Sequence, residues 1–178
     1  MRDPTLTVLP ARAKLRVQSW SDAPLEDTKL RSALQTFVGQ AWPTVVGGAA
    51  GSRHRVLCHG PADWLVVAES PSAALLAEFR RLVQGSTLQV SDQSQGLAAL
   101  QVSGSRAREL LTKGCCLDLA PRVFPPGACA RTRLAHVPVI VDAAADADML
   151  TCYVGRSYLD YLRNWLDDAA VEFQDTNP

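Results

Sequence analysis

One pattern occurs twice in this chain and limits what it can fold into. RVLCHGPADWLVVAESPSAALLAEFRRL and VPVIVDAAADADMLTCYVGRSYLDYLRNWL each read strand, polar turn, strand, cap, amphipathic helix. Between them lies a further strand-turn-strand-helix unit. Strands that alternate or run apolar bury a sheet face, and helices with apolar residues three and four apart cover it. An antiparallel sheet or sheets covered by helices satisfies both periods, so the expected class is α+β, not a dinucleotide-binding α/β fold.

The chain has 178 residues, 47% of them hydrophobic, against a usual domain size of about 150 residues. One compact α+β domain over residues 52–174, internally two-lobed, is expected, with 175–178 as a C-terminal tail. Residues 1–51 read as an irregular arm, because Pro4, Pro10, Pro24 and Pro43 interrupt short apolar runs and Gly47, Gly48 and Gly51 form a soft boundary. Within it, residues 25–38 allow a short helix with Leu30, Leu34 and Phe37 on one face. Trp20 and Trp42 look exposed, so the arm either wraps the domain, lies on another protein, or is a partly ordered lead-in.

Eighteen basic residues balance eighteen acidic ones, which leaves no global field to draw in nucleic acid. No window holds the roughly 20 apolar residues that span a bilayer, and the N-terminus lacks an export pattern. Five unevenly spaced cysteines do not make a secreted disulfide framework; a cytoplasmic protein with reduced thiols is expected.

HRVLCH and WLVVAE predict a hairpin through GPAD. Ser70 as cap and Pro71 in the first turn then open a helix with Leu75, Leu76, Phe79 and Leu82 inward, closed by Gly85. Thr87 to Val90 and Leu97 to Val102 predict strands around a polar turn, Ser91 to Gly96. Ser103 and Ser105 compete as caps for a helix over 106–112, which Gly114 ends in a left-handed conformation. The proline pair predicts an extended, irregular stretch from Val123 to Gly127. Cys129 to Leu134 and Val137 to Val141 form a hairpin through Ala135 and His136. After an Ala/Asp turn over residues 142–148 come a strand over 149–154 and a helix capped by Ser157, with Tyr158, Tyr161, Leu162, Trp165 and Leu166 as core anchors.

Concentrated chemistry is scarce. Cys115 and Cys116 are adjacent, without the C-x-x-C spacing of a redox or zinc site, and fit small apolar fillers. His54 and His59 differ in strand parity, and neither they nor His136 has a partner at catalytic spacing, with Asp63 and Asp142 on other turns. Gly104 ahead of Ser105 and Arg106 offers either an anion site or a turn with a cap. Asp92 either meets a ligand or accepts nearby backbone donors. Arg106, Arg108, Lys113, Arg122, Arg131 and Arg133 make a basic cluster; Arg131 and Arg133 share strand parity and face one way. Either pairs with Glu109 or Asp118, or reaches a carboxylate on another subunit. Phe124, Pro125, Pro126 and Gly127 offer a stiff apolar protrusion suited to an interface.

DQSQGLAALQVSGSRARELLTKGCCLDLAPRVFPPGACARTRLAHVPVIV followed by YVGRSYLDYLRNWLDDAA resembles the gamma-subunit family of heterotetrameric sarcosine oxidases. GPADWLVVAE is similar to that family's tryptophan-containing hairpin. The succession K-G-C-x-L-D-L, F-P-P-G and A-R-T-R is its most specific part, and the resemblance runs from about Arg53 to Phe173. It implies a non-catalytic structural subunit that packs against alpha in a complex with alpha, beta and delta partners. That complex oxidatively demethylates sarcosine to glycine with oxygen and tetrahydrofolate, producing hydrogen peroxide and 5,10-methylenetetrahydrofolate. It further implies that FAD, FMN, NAD and zinc are held by the partners, with no catalytic, cofactor or metal residue in this chain, and that Phe124, Pro125, Pro126, Gly127, Arg131 and Arg133 meet a partner.

The family in turn resembles a shortened folate-binding aminomethyltransferase, the T-protein fold. Asp92 and Gly104 fit its D-x-S and S-G turns and residues 131–141 its hairpin, while its long turn with paired acids is replaced by the short Leu134 to Pro138 connection. An independent folate-dependent one-carbon enzyme or folate-binding protein is the alternative; it predicts a polar pocket at Asp92.

Overall fold

The computed structural model describes residues 4–21, 25–70, 72–144 and 148–174. In chain order these form β1 (Thr5–Val8), β2 (Ala13–Ser19), α1 (Thr28–Val38), β3 (Ala49–Ala50), β4 (His54–Gly60), β5 (Asp63–Ala68) and α2 (Ser72–Leu82). There follow β6 (Leu88–Asp92), β7 (Leu97–Ser103), α3 (Ala107–Thr112), β8 (Cys129–Leu134), β9 (Val137–Ala143), β10 (Met149–Gly155) and α4 (Leu159–Gln174). They divide into two compact units, Ala11–Gln95 and Met1–Pro10 with Gly96–Pro178. Each holds a five-stranded sheet in which every pairing is antiparallel, with helices against it. The expected class, α+β with repeated strand-turn-strand-helix units, is the observed one.

The strand orders are β3-β4-β5-β2-β6 and β8-β9-β10-β7-β1, read from corresponding edges. Four places match between repeats: β2, β3, β4 and β5 stand where β7, β8, β9 and β10 stand. The fifth place is filled by exchange. β1 precedes β2 yet pairs with β7, Leu6 opposite Val102, while β6 precedes β7 yet pairs with β2, Val90 opposite Val17.

The described residues of the expected arm, 4–21 and 25–51, are therefore no irregular lead-in, and no unit begins at residue 52. The segment supplies β1 to one sheet and β2, α1 and β3 to the other unit, with Ala13, Leu15 and Val17 of β2 buried. Pro4, Pro10 and Pro43 stand between elements, where the missing N–H costs no ladder bond. Trp42 is buried and Trp20 is 85% exposed. Pro24, Pro71, the middle of the 142–148 turn and the 175–178 tail lie outside the described residues.

The core of the Ala11–Gln95 unit is aromatic. Trp42 meets Trp64 edge-on at 5.8 Å, and Phe79 packs against both Phe37 and Trp42. Leu30, Leu34 and Val38 put one face of α1 inside. That helix begins at Asp27, whose carboxylate accepts from the Lys29 and Leu30 N–H groups, and ends at Gly39, φ +76°. Both ends thus satisfy groups the helix leaves open.

The other unit has a mostly aliphatic core, Leu100, Val102, Leu110, Leu111, Leu119, Val139, Val141, Leu150, Leu162 and Leu166, joined by Phe124 and Phe173. Burying each such side chain is worth roughly 1.5–3 kcal/mol. Several local expectations change here. Arg106, not a serine, stands at the start of α3, without a side-chain cap bond. Gly114 is not among the left-handed glycines; a Cβ there would lie 2.6 Å from the Trp165 ring and 3.1 Å from the Ala135 nitrogen, so it is a glycine for space. Ser157 lies inside the short 3-10 turn Arg156–Tyr158 that leads into α4. Tyr158 and Tyr161 are about half exposed rather than core anchors.

Candidate functional site

The segment from α3 through β9 carries the predicted basic cluster, and most of it is consumed within the chain. Arg106 donates two bonds to Glu109, at 2.9 and 2.8 Å, and lies 3.9 Å over the Phe173 ring. This pairing holds the Glu109 carboxyl below its ordinary range. Lys113 pairs with Glu172 at 2.8 Å and donates to the Ala169 carbonyl. Arg122 meets Asp118 at 3.9 Å on the exposed surface. Arg108 donates to the carbonyls of Leu119 and Phe124, the latter at 2.9 Å, tying the following loop to α3; burial pulls its pKa down, against the attraction of Asp148.

That tether folds the loop back on itself. Residues 120–127 are not extended but a succession of turns, with Phe124 N–H bonded to the Ala120 carbonyl and Ala128 N–H to Pro125. Gly127, at φ +87°, sends its N–H to Ala143. The turns drive Phe124 into the core at 5% exposure, so its ring is no surface anchor. Pro125 and Pro126 stay exposed.

Arg131 and Arg133 are both exposed, at alternate positions of β8, the outermost strand of its sheet. Among the described residues neither guanidinium has a hydrogen-bond or ion-pair partner. Glu109 and Asp118, the acids expected to meet them, are held by Arg106 and Arg122. The β8–β9 hairpin turns through Ala135 and His136, at φ +49° and +69°, the left-handed pair that a two-residue loop needs. Two bonds keep it so: Ala135 N–H donates to Gly114 at 3.0 Å, and the Tyr161 hydroxyl donates to the Ala135 carbonyl at 3.2 Å.

The other chemical candidates resolve into structural roles. Asp92, counted in the sequence as part of a polar turn, ends β6. Its carboxylate accepts from Ser94 N–H at 2.8 Å and Ser94 hydroxyl at 2.5 Å, which lowers its pKa. The Gly104 N–H, the anion donor considered above, bonds the Asp148 carbonyl. Cys152 is fully buried and burial pushes its thiol up to about 12, so it stays protonated and acts as an apolar filler. The sequence missed one grouping: His59 Nε2 lies 3.7 Å from Asp63 Oδ1 across the β4–β5 turn. Arg16 from β2 clamps that carboxylate with two bonds, at 2.9 and 2.6 Å, which fixes it in the sheet. The neighbouring Cys58 thiol is pushed up by burial and donates to the Gly60 carbonyl, so it is no activated nucleophile.

Nor do these residues fit folate. The Asp92 carboxylate is turned onto Ser94, and the hairpin tip, Ala135 and His136, offers no carboxylate. Among the described residues no three His, Cys, Asp or Glu side chains are grouped to hold a metal ion. No described helix is long and apolar enough to cross a membrane.

Comparison with known proteins is consistent across sequence and structure. A family model described as sarcosine oxidase, gamma subunit family, matches residues 23–172. Sarcosine oxidase subunit gamma from Corynebacterium sp. (strain P-1) is 34% identical over 146 residues, 80% of this chain and 70% of that relative. A chain of the heterotetrameric sarcosine oxidase from Corynebacterium sp. U-96, solved with pyrrole 2-carboxylate, matches with a TM-score of 0.85 at 28% identity, covering 98% of this chain and 87% of its own. The glycine cleavage system aminomethyltransferase T from Bartonella henselae shares the fold alone, with a TM-score of 0.64 at 12% identity, over 94% of this chain and 46% of its own.

Proposed function

The chain belongs to the sarcosine oxidase gamma subunit family, and from that premise we propose that it is a non-catalytic structural subunit of a heterotetrameric sarcosine oxidase. The complex demethylates sarcosine to glycine with oxygen and tetrahydrofolate, releasing hydrogen peroxide and 5,10-methylenetetrahydrofolate. FAD, FMN, NAD and zinc reside in alpha, beta and delta partners, alpha being the most direct contact. The observation that carries this reading is the agreement of almost the whole fold with one chain of such a heterotetramer. The chain's own geometry supports it: Asp92 and Asp63 hold turns and Cys58, Cys115 and Cys152 are buried, while Cys116, expected as a core filler, and His136 are exposed and have no acid or base grouped with them among the described residues. Its five cysteines stand as thiols, as the reducing cytoplasm keeps them.

The contact with a partner runs along Pro125, Pro126, Gly127, Arg131 and Arg133. Phe124 supports this surface from inside. Exposed prolines lose little conformational freedom on binding, and the guanidinium fork suits a fixed carboxylate.

Co-expression with the other three subunits tests the reading. The expected particle contains this chain and releases peroxide from sarcosine, while the isolated chain releases none and binds no tetrahydrofolate. Turnover by the chain alone, or a complete oxidase particle that leaves it out, overturns the assignment.

A further inference from the structure

Arg133 faces Pro138 across the β8–β9 pair, and Pro138 also lines a groove. That groove, of about 370 Å3, lies between the hairpin tip Ala135–Pro138 and the rings of Tyr158 and Tyr161. Unfilled cations and an apolar groove thus adjoin on one stretch of surface. We propose that this surface receives an acidic, extended segment of a partner subunit, with two carboxylates on Arg131 and Arg133 and an apolar side chain in the groove. The inference rests on the subunit role argued above and gives that contact its chemistry.

Charge supplies the first reason. Arg106, Lys113 and Arg122 have carboxylate partners and Arg108 has carbonyls, whereas Arg131 and Arg133 have none among the described residues. Two residues along a strand span about 7 Å, the same spacing as alternate side chains of an extended peptide. Carboxylates at such positions meet both guanidinium groups at once, each through paired bonds.

The strand edge supplies the second. A two-residue turn makes Leu134 and Val137 a hydrogen-bonded pair, so Arg131 and Arg133 direct their backbone groups away from β9. At the Leu134 end a bridge to Cys115 already covers that edge. A partner strand therefore cannot add along the whole of β8, and recognition falls to side chains. The groove is fitted for this: the Tyr161 hydroxyl is fastened to the Ala135 carbonyl, which holds one wall in place before anything binds.

The test uses the full chain co-expressed with the other three subunits. Charge reversal, Arg131→Glu with Arg133→Glu, is expected to weaken incorporation into the particle at least tenfold while the thermal midpoint of the chain is unchanged. The pair Arg131→Lys with Arg133→Lys is expected to assemble and, on treatment with a carbodiimide, to form amide links to aspartate or glutamate of a partner subunit. The lysine variant decides the matter if the glutamate variant fails to fold. Normal incorporation of the reversed variant without a lysine cross-link overturns the acidic segment and leaves the subunit role standing. Failure of the unaltered chain to assemble overturns both, and loss of a nucleic acid or anionic vesicle, in place of a subunit, on charge reversal overturns the proposed occupant.

Discussion

β3 and β8 hold the same place in their repeats, outermost beside β4 and β9, yet one is two alanines and the other six residues bearing Arg131 and Arg133. A two-residue edge offers almost no backbone for another chain to pair with, and charges blunt a longer one. The repeats agree in strand layout and diverge in the chemistry of their cores and of their outer edges. Gly39 and Gly114 repeat the lesson after the first helix of each repeat: one is required by a left-handed backbone, the other by the nearness of Trp165. The two repeats share a layout while the reasons for single residues differ.

The strongest test of equivalence lies in the centres of the sheets. Leu15 of β2 and Leu100 of β7 are both fully buried, so Leu15→Ala and Leu100→Ala should each cost about 2–5 kcal/mol in urea unfolding. A small loss at one and a full loss at the other would break the correspondence. The glycines come next. Gly114→Ala should cost about 1–3 kcal/mol through overpacking, and Gly39→Ala about 1–2 kcal/mol through its backbone. Asparagine, which tolerates that conformation, should recover most of the loss at position 39 and none at 114.

A pH profile gives a smaller contrast. The Cys152 thiol is pushed up to about 12 in the folded chain, against about 8.5 unfolded. The protonated form is favoured by folding, so this contribution is full below about pH 8.5 and is lost as pH rises toward 12. Cys152→Ala should flatten that alkaline slope in a series of denaturation midpoints. The least effect is expected at the β8 edge: Arg131→Ala with Arg133→Ala should move the stability of the isolated chain by no more than about 0.5 kcal/mol. A larger loss would mean that these residues serve the fold, and the contrast between β3 and β8 would no longer concern partners.

The doubled strand-turn-strand-helix pattern was readable because its elements are consecutive in the chain: β4, β5 and α2 follow one another, as do β9, β10 and α4. The parity of Arg131 and Arg133 was readable for the same reason. β1 and β2 were not, since their partners lie far along the chain and the prolines around them mark element ends as easily as disorder. Gly114 could not be understood without Trp165, nor Phe124 without Arg108, whose guanidinium gathers the loop carbonyls. His59 and Asp63 flank a turn, and HGPAD held the signal that they would meet. That the two edge arginines lack partners became visible only once Glu109 and Asp118 were seen to be taken.

The exchange of first strands has a consequence for how the chain matures during synthesis. Leu6 leaves the ribosome before every residue of the Ala11–Gln95 unit, but its neighbour in the sheet is Val102, made after all of them. That unit in turn waits for Leu88–Asp92 to close beside β2. β1 must therefore remain unclaimed until β7 has been made, and a halt before Leu97 would release a product with β1 unseated.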